Sequence, residues 1–364
     1  VDALFGTGFT GSIAADSPAG RLLTWANTCG PMLSIDVPSG MDAATGAVEG
    51  VCARAIWTVT FHRPKPGLYL TERRDCVGEI TVAPIGLPRE FDPQGGLLVN
   101  EEGDLHTLLP DRPASAHKGD CGRTVIYAGS LGMAGAAMMA ARAALHAGAG
   151  LTTVICPRAA MPVLQQEVPN ATCLAAEDQP TPKCDALLMG CGIAENDDTY
   201  ADMMRLKATD AYQVWDAGAL NLLAGHPQQL GARAVITPHA GEAARLLGWE
   251  IPAVLSDKLG AAEALRAKYG CNVVLKSAVT VMLTADGQQC ALNAVGSPAL
   301  AKGGSGDALA GILASLLGQG LPMFDAMRAA CLWLGLAGIA ACKRCGVRAA
   351  LTGDVIDSLG ACEG

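Results

Sequence analysis

The chain reads as an α/β protein, with a mostly parallel sheet covered by helices on both faces. Three observations predict this. Short apolar runs alternate with Gly-rich turns and Ala-rich helical stretches, the order that parallel strands require because each crossover needs a helix. Glycine supplies 44 of the 364 residues and aromatics only 4%, which suits tight turns and close packing and not the stacking of exposed bases. Half the chain is hydrophobic, enough for a sizeable core and against general disorder.

The elements follow in order. MLSIDVPSG (32–40) reads as a strand and then a loop, AIWTVTF (55–61) as a β-rich strand, and GEITVAPIGLP (78–88) as another. Between Leu87 and Lys118 the pattern gives way to PREFDPQGG, EEGD and PDRPASAHKGD, polar and breaker residues that mark a boundary near residue 98. The expected domains are therefore 1–98 and 99–364. The second opens with the strand RTVIYAGS, continues through the helical GAAMMAARAALHAGA and returns in the strand LTTVICP, a βαβ unit. Further strands are predicted at 185–190, 212–216, 233–238, 272–277 and 279–284. Helices from about Gly306 to Gly318 and from Asp325 to Cys342 follow, and no repeat or low-complexity tract occurs. The chain enters VDALFGTGFTG directly at Val1 and reads as one cut within a domain.

Charge and cysteines narrow the class. With 26 Lys and Arg against 35 Asp and Glu, the net charge of −9 argues against non-specific binding to nucleic acid or to an anionic membrane. The longest apolar stretch, Ala329 to Cys342, falls short of the roughly 20 residues that span a bilayer and reads as a buried helix. The 14 cysteines are scattered, and those in apolar settings, such as Cys156 and Cys331, read as small core residues of a cytoplasmic protein. Cys342 and Cys345 have CxxC spacing without a second pair, and so read as structural thiols rather than a zinc site.

The sharpest chemical motif is Gly303-Gly304-Ser305-Gly306-Asp307, immediately before the apolar run ALAGILASLL. Its glycines let the backbone approach a ligand and turn N–H groups toward it, and the helix that follows adds its positive end, which makes an anion hole for a phosphate. An Asp beside that phosphate suits a base that takes a hydroxyl proton while the hole stabilises the transferring phosphoryl group. The same Asp also suits a residue that merely complements the helix dipole. The stretch is not a P-loop, because Lys302 precedes the glycines. The turn Gly129-Ser130-Leu131-Gly132-Met133-Ala134-Gly135 lacks the spacing of a dinucleotide fingerprint.

Seven stretches occur in one order between residues 117 and 360: HKGDCGR, GMAGAAMMAARAALHAGAGLTTV, LLMGCG, ALNLLA, VITPHAGEAARLLG, VVLKSAVTV and GSPALAKGGSGDALAGILASLLGQG. On these the segment resembles the ADP-dependent (or ATP-dependent) NAD(P)H-hydrate dehydratase family, with its three-layer αβα ribokinase-like fold. The resemblance implies that Asp307 is the catalytic acid/base and that Gly304, Ser305 and Gly306 form the anion hole. It makes Lys276, Ser277, Ala278, Val279 and Thr280 a nucleotide-contacting loop, with Lys276 a phosphate partner. Ala136, Gly192 and His239, with Asp307, match positions that hold the hydrated nicotinamide nucleotide. Blander readings stay open: tight packing for Ala136 and Gly192, a turn or cap for His239, and a helix N-terminal acid for Glu242.

The implied chemistry is physically sensible. Hydroxide leaves the reduced nicotinamide ring poorly; phosphorylating the hydroxyl makes it a good leaving group, and eliminating phosphate restores the double bond. ADP or ATP with Mg²⁺ is the implied cofactor set, and hydrated NADH or NADPH in its S-form the small-molecule partner. The chain departs from the family where LDADALN becomes WDAGALN, with Gly218 in place of an acid. TPHPGE becomes TPHAGE at Ala240, GNP becomes Gly296-Ser297-Pro298, ATGG becomes Ala301-Lys302-Gly303-Gly304, and KGAGT gains the bulkier Val279, which is expected to lower nucleotide affinity.

Residues 1–90 resemble the C-terminal part of an NAD(P)H-hydrate epimerase domain, a Rossmann-like αβα unit, through VDALFGTGFTG, IDVPSGMDAATG, TVTFHRPKPGL and IGLP. That resemblance makes Asp2 and Ser39 potassium ligands, and Asp36 a substrate contact. Gly6, Thr7, Gly8, Phe9, Thr10, Gly11 and Ser12 become a phosphate-side loop. Asp2, Asp36 and Ser39 also read simply as turn residues at strand ends. The family's Asn-Asn-Gly-Gly-Asp loop does not occur, so epimerisation by this chain unaided is not expected. Two other readings remain: a small-molecule kinase of the same superfamily, and a nucleotide-binding remnant without catalysis. Composition leaves a homo-oligomer open, because it does not separate apolar surface from core.

Overall fold

The apolar runs form short strands because aliphatic and β-branched residues suit a pleated surface that is covered on both sides. A computed structural model describes residues 1–88, 90 and 96–363. The rest of the expected boundary stretch PREFDPQGG, residues 89 and 91–95, lies outside the described residues. The chain divides into two units, Val1–Leu97 with Leu255–Lys258, and Leu98–Val254 with Leu259–Gly364.

The first unit contains β1 (Ser12–Ile13), α1 (Pro18–Ala26), β2 (Leu33–Ile35), β3 (Glu49–Gly50), β4 (Trp57–Phe61), α2 (Pro66–Leu70) and β5 (Glu79–Ala83). Strands β2, β4 and β5 make a parallel three-stranded sheet, and β1 pairs with β3. Helix α1 starts where a start is cheapest: Ser17 accepts from the Gly20 N–H, and Pro18 occupies the first turn, where its missing N–H is not needed. One core cluster gathers Val37, Met41, Cys52, Leu68, Cys76 and Val77.

The larger unit is built on a ten-stranded sheet. Its elements begin with β6 (Leu97–Val99), α3 (Leu105–Leu108), β7 (Arg123–Tyr127), α4 (Ala134–His146), β8 (Leu151–Cys156), α5 (Met161–Glu167) and β9 (Thr172–Ala175). There follow β10 (Ala186–Met189), α6 (Asp197–Lys207), β11 (Tyr212–Trp215), α7 (Gly218–Gly225), β12 (Ala234–Ile236) and α8 (Ala240–Leu247). The chain closes with α9 (Ile251–Ser256), α10 (Lys258–Tyr269), β13 (Asn272–Leu275), β14 (Thr280–Leu283), β15 (Cys290–Asn293), α11 (Ser305–Gly318), α12 (Met323–Cys345) and α13 (Thr352–Asp357).

The strand order is β6-β15-β14-β13-β12-β11-β10-β7-β8-β9. From β13 through β12, β11, β10, β7 and β8 to β9 every pairing is parallel, whereas β14 runs antiparallel to both β13 and β15. Every residue of β10, β12 and β13 is buried, which for side chains that alternate between faces means that both faces are covered.

Two helices carry much of the core. Helix α12 extends beyond the expected Asp325–Cys342 at both ends. Its polar first and last turns hold Asp325, and Lys343 with Arg344, charges that complement the helix dipole and lie outside the apolar run. It is long and apolar enough to cross a membrane by length and composition, yet 67% of its most apolar window is buried inside the protein. Of the CxxC pair at its end, Cys342 Sγ lies 2.8 Å from Ser297 Oγ, and Cys345 faces Asp354. Helix α4 presents Ala137, Ala140, Ala141 and Ala144, all buried, to the core. There α11 comes so close that a Cβ at Gly311 would sit 2.2 Å from the Ala140 carbonyl oxygen.

This approach predicts that Gly311→Ala destabilises the protein by about 2–3 kcal/mol through overpacking, even though alanine favours an isolated helix by roughly 1 kcal/mol. Urea unfolding midpoints test it: a variant at least as stable as the parent would show that α4 and α11 do not meet at that distance.

Candidate active site

Helix α11 begins on a left-handed residue. Gly304, its N-cap, has φ +93°, and no side chain caps this end; the Ser305 N–H donates to the Lys302 carbonyl at 3.3 Å, and the N–H groups that follow carry the positive end of the dipole. Ser305 Oγ is buried there and has no hydrogen-bond partner among the described residues. A buried hydroxyl left unpaired at a helix N-terminus fits an incoming anion. The loop before the helix is pinned from outside: Thr352 Oγ1 donates to the Gly303 carbonyl, and Lys302 Nζ to the carbonyls of Arg348 and Ala350. Lys302 is therefore spent on the scaffold.

Asp307 projects from the first turn of α11 into a cluster of buried charge. Its carboxylate, that of Asp216 and the Cys191 thiol offer ligand atoms within 4.8 Å of one another. Lys276 Nζ donates to Asp216 Oδ1 at 2.6 Å, and Thr237 Oγ1 donates to the same oxygen at 2.9 Å. A Cβ at Gly306 would meet the Lys276 ammonium at 3.2 Å, so the cation lies against the anion loop.

Burial, and then the Asp216 charge, raises the Asp307 carboxyl from 3.8 to about 6, against smaller opposing effects of the Cys191 thiol and Lys276. Burial works the other way on Lys276, but Asp216 and Glu242 outweigh it and hold the ammonium above its ordinary range. The arrangement can therefore present a carboxylate able to take a proton near neutral pH beside a fixed cation.

These groups share one placement rule. Cys191 follows β10, Asp216 follows β11, Pro238 and His239 follow β12, and Lys276 follows β13, all at the carboxyl ends of adjacent parallel strands, where open α/β sheets bind ligands. A cavity of about 540 Å³ lies alongside, lined by Ser277, Ala278 and Thr280 on one side and Gly296, Ser297 and Ala301 on another. Its size suits a nucleotide-sized ligand. Val279 sits differently: its side chain is 2% exposed and faces the core, while Ser277 Oγ donates to its carbonyl.

His239 caps α8, its Nδ1 accepting from the N–H groups of Gly241 and Glu242, and Glu242 Oε2 accepts from the His239 N–H in return. This reciprocal capping box gives both residues a structural task, and leaves the outer edge of the exposed His239 ring facing solvent. Gly192 (φ +65°) packs against Ala136, for a Cβ there would lie 2.7 Å from the Ala136 methyl. At Gly218 the room for an acid is taken by Ile193, whose Cγ1 would lie 2.7 Å from an added Cβ.

In the first unit, Asp2 accepts at Oδ1 from Ser39 Oγ (2.6 Å) and at Oδ2 from Ser34 Oγ and the Ser39 N–H. Burial alone would raise Asp36, but Lys65 at 2.6 Å, with the Phe61 N–H and Thr60, holds it below its ordinary value. Of the loop from Gly6 to Ser12, Gly6, Thr7, Gly8, Thr10, Gly11 and Ser12 are exposed, and Phe9 turns inward onto Phe5 with ring centroids 5.2 Å apart.

Two residues of the cluster had no role assigned from sequence. Asp216 was legible as an acid directly after a parallel strand, a signal that needs the strand order before it points anywhere. Cys191 carried no signal beyond its neighbouring glycines.

Comparison with known proteins shows the family and the fold. A family model described as NAD(P)H-hydrate dehydratase matches residues 124–360, and one described as YjeF-related protein N-terminus matches residues 1–67. The bifunctional NAD(P)H-hydrate repair enzyme of Vibrio cholerae is 38% identical over 336 residues, covering 90% of this chain and 67% of that protein. Its Escherichia coli counterpart is 37% identical over 366 residues, covering 99% and 70%. Among solved structures, the ADP/ATP-dependent NAD(P)H-hydrate dehydratase from Bacillus subtilis co-crystallized with ATP/Mg²⁺ aligns with a TM-score of 0.66 at 25% identity, over 73% of this chain and 98% of that one. A ribokinase-like superfamily protein from Enterococcus faecalis aligns at 0.67 and 26%, over 74% and 96%. The larger unit thus has the ribokinase-like fold, and the chain belongs to the NAD(P)H-hydrate dehydratase family.

Proposed function

We propose that the larger unit dehydrates the S-form of hydrated NADH or NADPH, coupled to cleavage of ADP or ATP. The observation that carries this reading is the placement of Asp307: a carboxyl raised to about 6, in the first turn of a helix whose uncapped start holds an unpartnered buried hydroxyl.

The chain's own groups divide the work. Asp307 takes the proton of the ring hydroxyl as its oxygen attacks the terminal phosphorus of the nucleotide. The amides of Gly304, Ser305 and Gly306, with Ser305 Oγ, stabilise the charge on the transferring phosphoryl group. The bond to the departing nucleotide breaks, and loss of phosphate together with a proton from the adjacent ring carbon restores the double bond. Lys276 is held by Asp216 beside Gly306 and adds positive charge at the loop. Ser277, Ala278 and Thr280 border the nucleotide cavity, and Val279 supports them from the core. Ala136, Gly192 and His239 are assigned, by the family resemblance, to the hydrated nicotinamide nucleotide.

Magnesium brought with the nucleotide would supply charge neutralisation, and the hard carboxylate oxygens of Asp216 are donors that fit it. Potassium at Asp2 and Ser39 has less support. Both Asp2 oxygens already accept from Ser34 and Ser39, and the Ser39 hydroxyl is engaged with Asp2 and the Phe5 N–H, so no step is routed through that ion.

An absorbance assay with S-form hydrate, Mg²⁺ and either ADP or ATP is expected to show recovery of the reduced nicotinamide band with release of free phosphate. A phosphorylated product that accumulates without that recovery would instead identify a small-molecule kinase. Turnover should rise with pH through about 6, where Asp307 loses its proton; a rate independent of pH across that range would remove it as the base.

Asp307→Asn is expected to lower turnover by about 10²–10⁴-fold and yet to stabilise the fold. A carboxyl whose folded value lies above its ordinary 3.8 opposes folding once ionised, so the gain is largest above about pH 6. It should reach roughly 1–3 kcal/mol at pH 8 and shrink as pH falls through that value. Urea titrations at pH 5 and pH 8 measure it; equal stability of the two proteins at both would contradict the raised value.

A further inference from the structure

We propose that Arg245 and Glu195, joined through Asn221, read the 2′ position of the hydrate's adenosine ribose. Arg245 takes the 2′-phosphate of the NADPH form, and Glu195 the 2′-hydroxyl of the NADH form. The inference rests on the proposed dehydration of those hydrates. Asn221 lies on α7, Arg245 on α8 and Glu195 in the loop after β10. Arg245 Nη1 donates to Asn221 Oδ1, and Asn221 Nδ2 donates to Glu195 Oε1.

The donor nucleotide and the hydrate have to meet at Asp307 from different sides. The cavity that suits the nucleotide is lined from β14, the segments flanking β15, and α12, which leaves the hydrate the ends of β12, β11 and β10. Arg245, Asn221 and Glu195 belong to the segments that leave those three strand ends. With the nicotinamide ring at Asp307, the adenosine end runs outward along them. Charge there is unevenly shared. The stretch from Gly190 to Asp198 carries Glu195, Asp197 and Asp198 and no Lys or Arg, and α7 carries no charged residue. On α8 the one Lys or Arg is Arg245, so it is the cation that these segments offer a phosphate.

The bridging amide keeps the two charges from neutralising each other. Arg245 is exposed, and among the described residues it makes that single hydrogen bond and no ion pair. Its other N–H donors form the planar fork that matches phosphate oxygens. Glu195 is exposed as well, and an ionised carboxylate only accepts, so it suits a ribose hydroxyl and repels a phosphate. Dinucleotide sites of other folds divide the task in the same way, an acid for the 2′-hydroxyl and an arginine for the 2′-phosphate. Exposed polar contacts add little to stability, so a mere clasp between helices accounts poorly for two opposite charges held on one amide.

The test measures kcat/KM for NADPH hydrate and NADH hydrate with the parent protein, Arg245→Ala, Arg245→Lys and Glu195→Ala. Arg245→Ala should lower the value for the NADPH form by about 10–100-fold, as expected for a lost charged hydrogen bond, and leave the NADH form nearly unchanged. Arg245→Lys, which keeps the charge but not the fork, should recover part of that loss. Glu195→Ala should move the ratio the other way, lowering the NADH form by about 3–10-fold and raising the NADPH form. NADPH and NADH themselves, used as probes in a fluorescence titration, should show the same split in Kd without turnover. Equal loss on both hydrates in Arg245→Ala, or a preference that neither alanine variant moves, overturns the inference and leaves the three residues as a clasp. A parent protein that turns over neither hydrate, while the two probes still show the split, overturns the proposed dehydration and not the ribose contact, so the two failures are distinct.

Discussion

One buried ion pair makes the rest of the site possible. Asp216, Asp307 and Glu242 bring three acidic side chains into a poorly solvated space, and Lys276 is the cation set among them. The 2.6 Å contact from Lys276 to Asp216 neutralises one carboxylate, so that the other need bear only part of the repulsion. Removing one partner of such a pair commonly costs about 3–5 kcal/mol because it strands the other charge. Here it would also change the field in which Asp307 titrates. The pair is thus a structural element and a tuning device together, and the sheet sets its length by placing β11 and β13 either side of β12.

Much of the fold was legible because its signals are local. The β-branched runs of β4, β7 and β8 and the alanine pattern of α4 mark themselves within a dozen residues. Strands β9 (TCLA) and β15 (CALN) do not: they are four residues long, poor in β-branched residues, and exist because neighbouring strands pair with them. The site divides in the same way. The Gly303–Asp307 loop is a contiguous word and could be read from sequence. The partnership of Cys191, Asp216 and Lys276 joins residues far apart in the chain and is written only in the strand order.

Close packing and function meet in α11. The same helix that carries Asp307 at its start presents Gly311 to α4, with no room for a methyl group between them. A helix pressed this tightly onto its neighbour cannot slide without losing contact along its length. The position of the base is therefore held by residues well inside the core, none of which touches a ligand. Val279 illustrates the reverse point: a bulkier residue in a ligand-facing loop is accommodated when its side chain turns inward.

The tethers on the anion loop carry a further consequence for how the protein breathes. Lys302 and Thr352 tie the loop to the stretch 348–352 through three hydrogen bonds, and α13 begins within that stretch. Local openings in proteins occur as contiguous cooperative groups and not as single residues. The three shared hydrogen bonds couple the loop to the start of α13, so the order of the phosphate cradle depends on a helix start that takes no part in its chemistry.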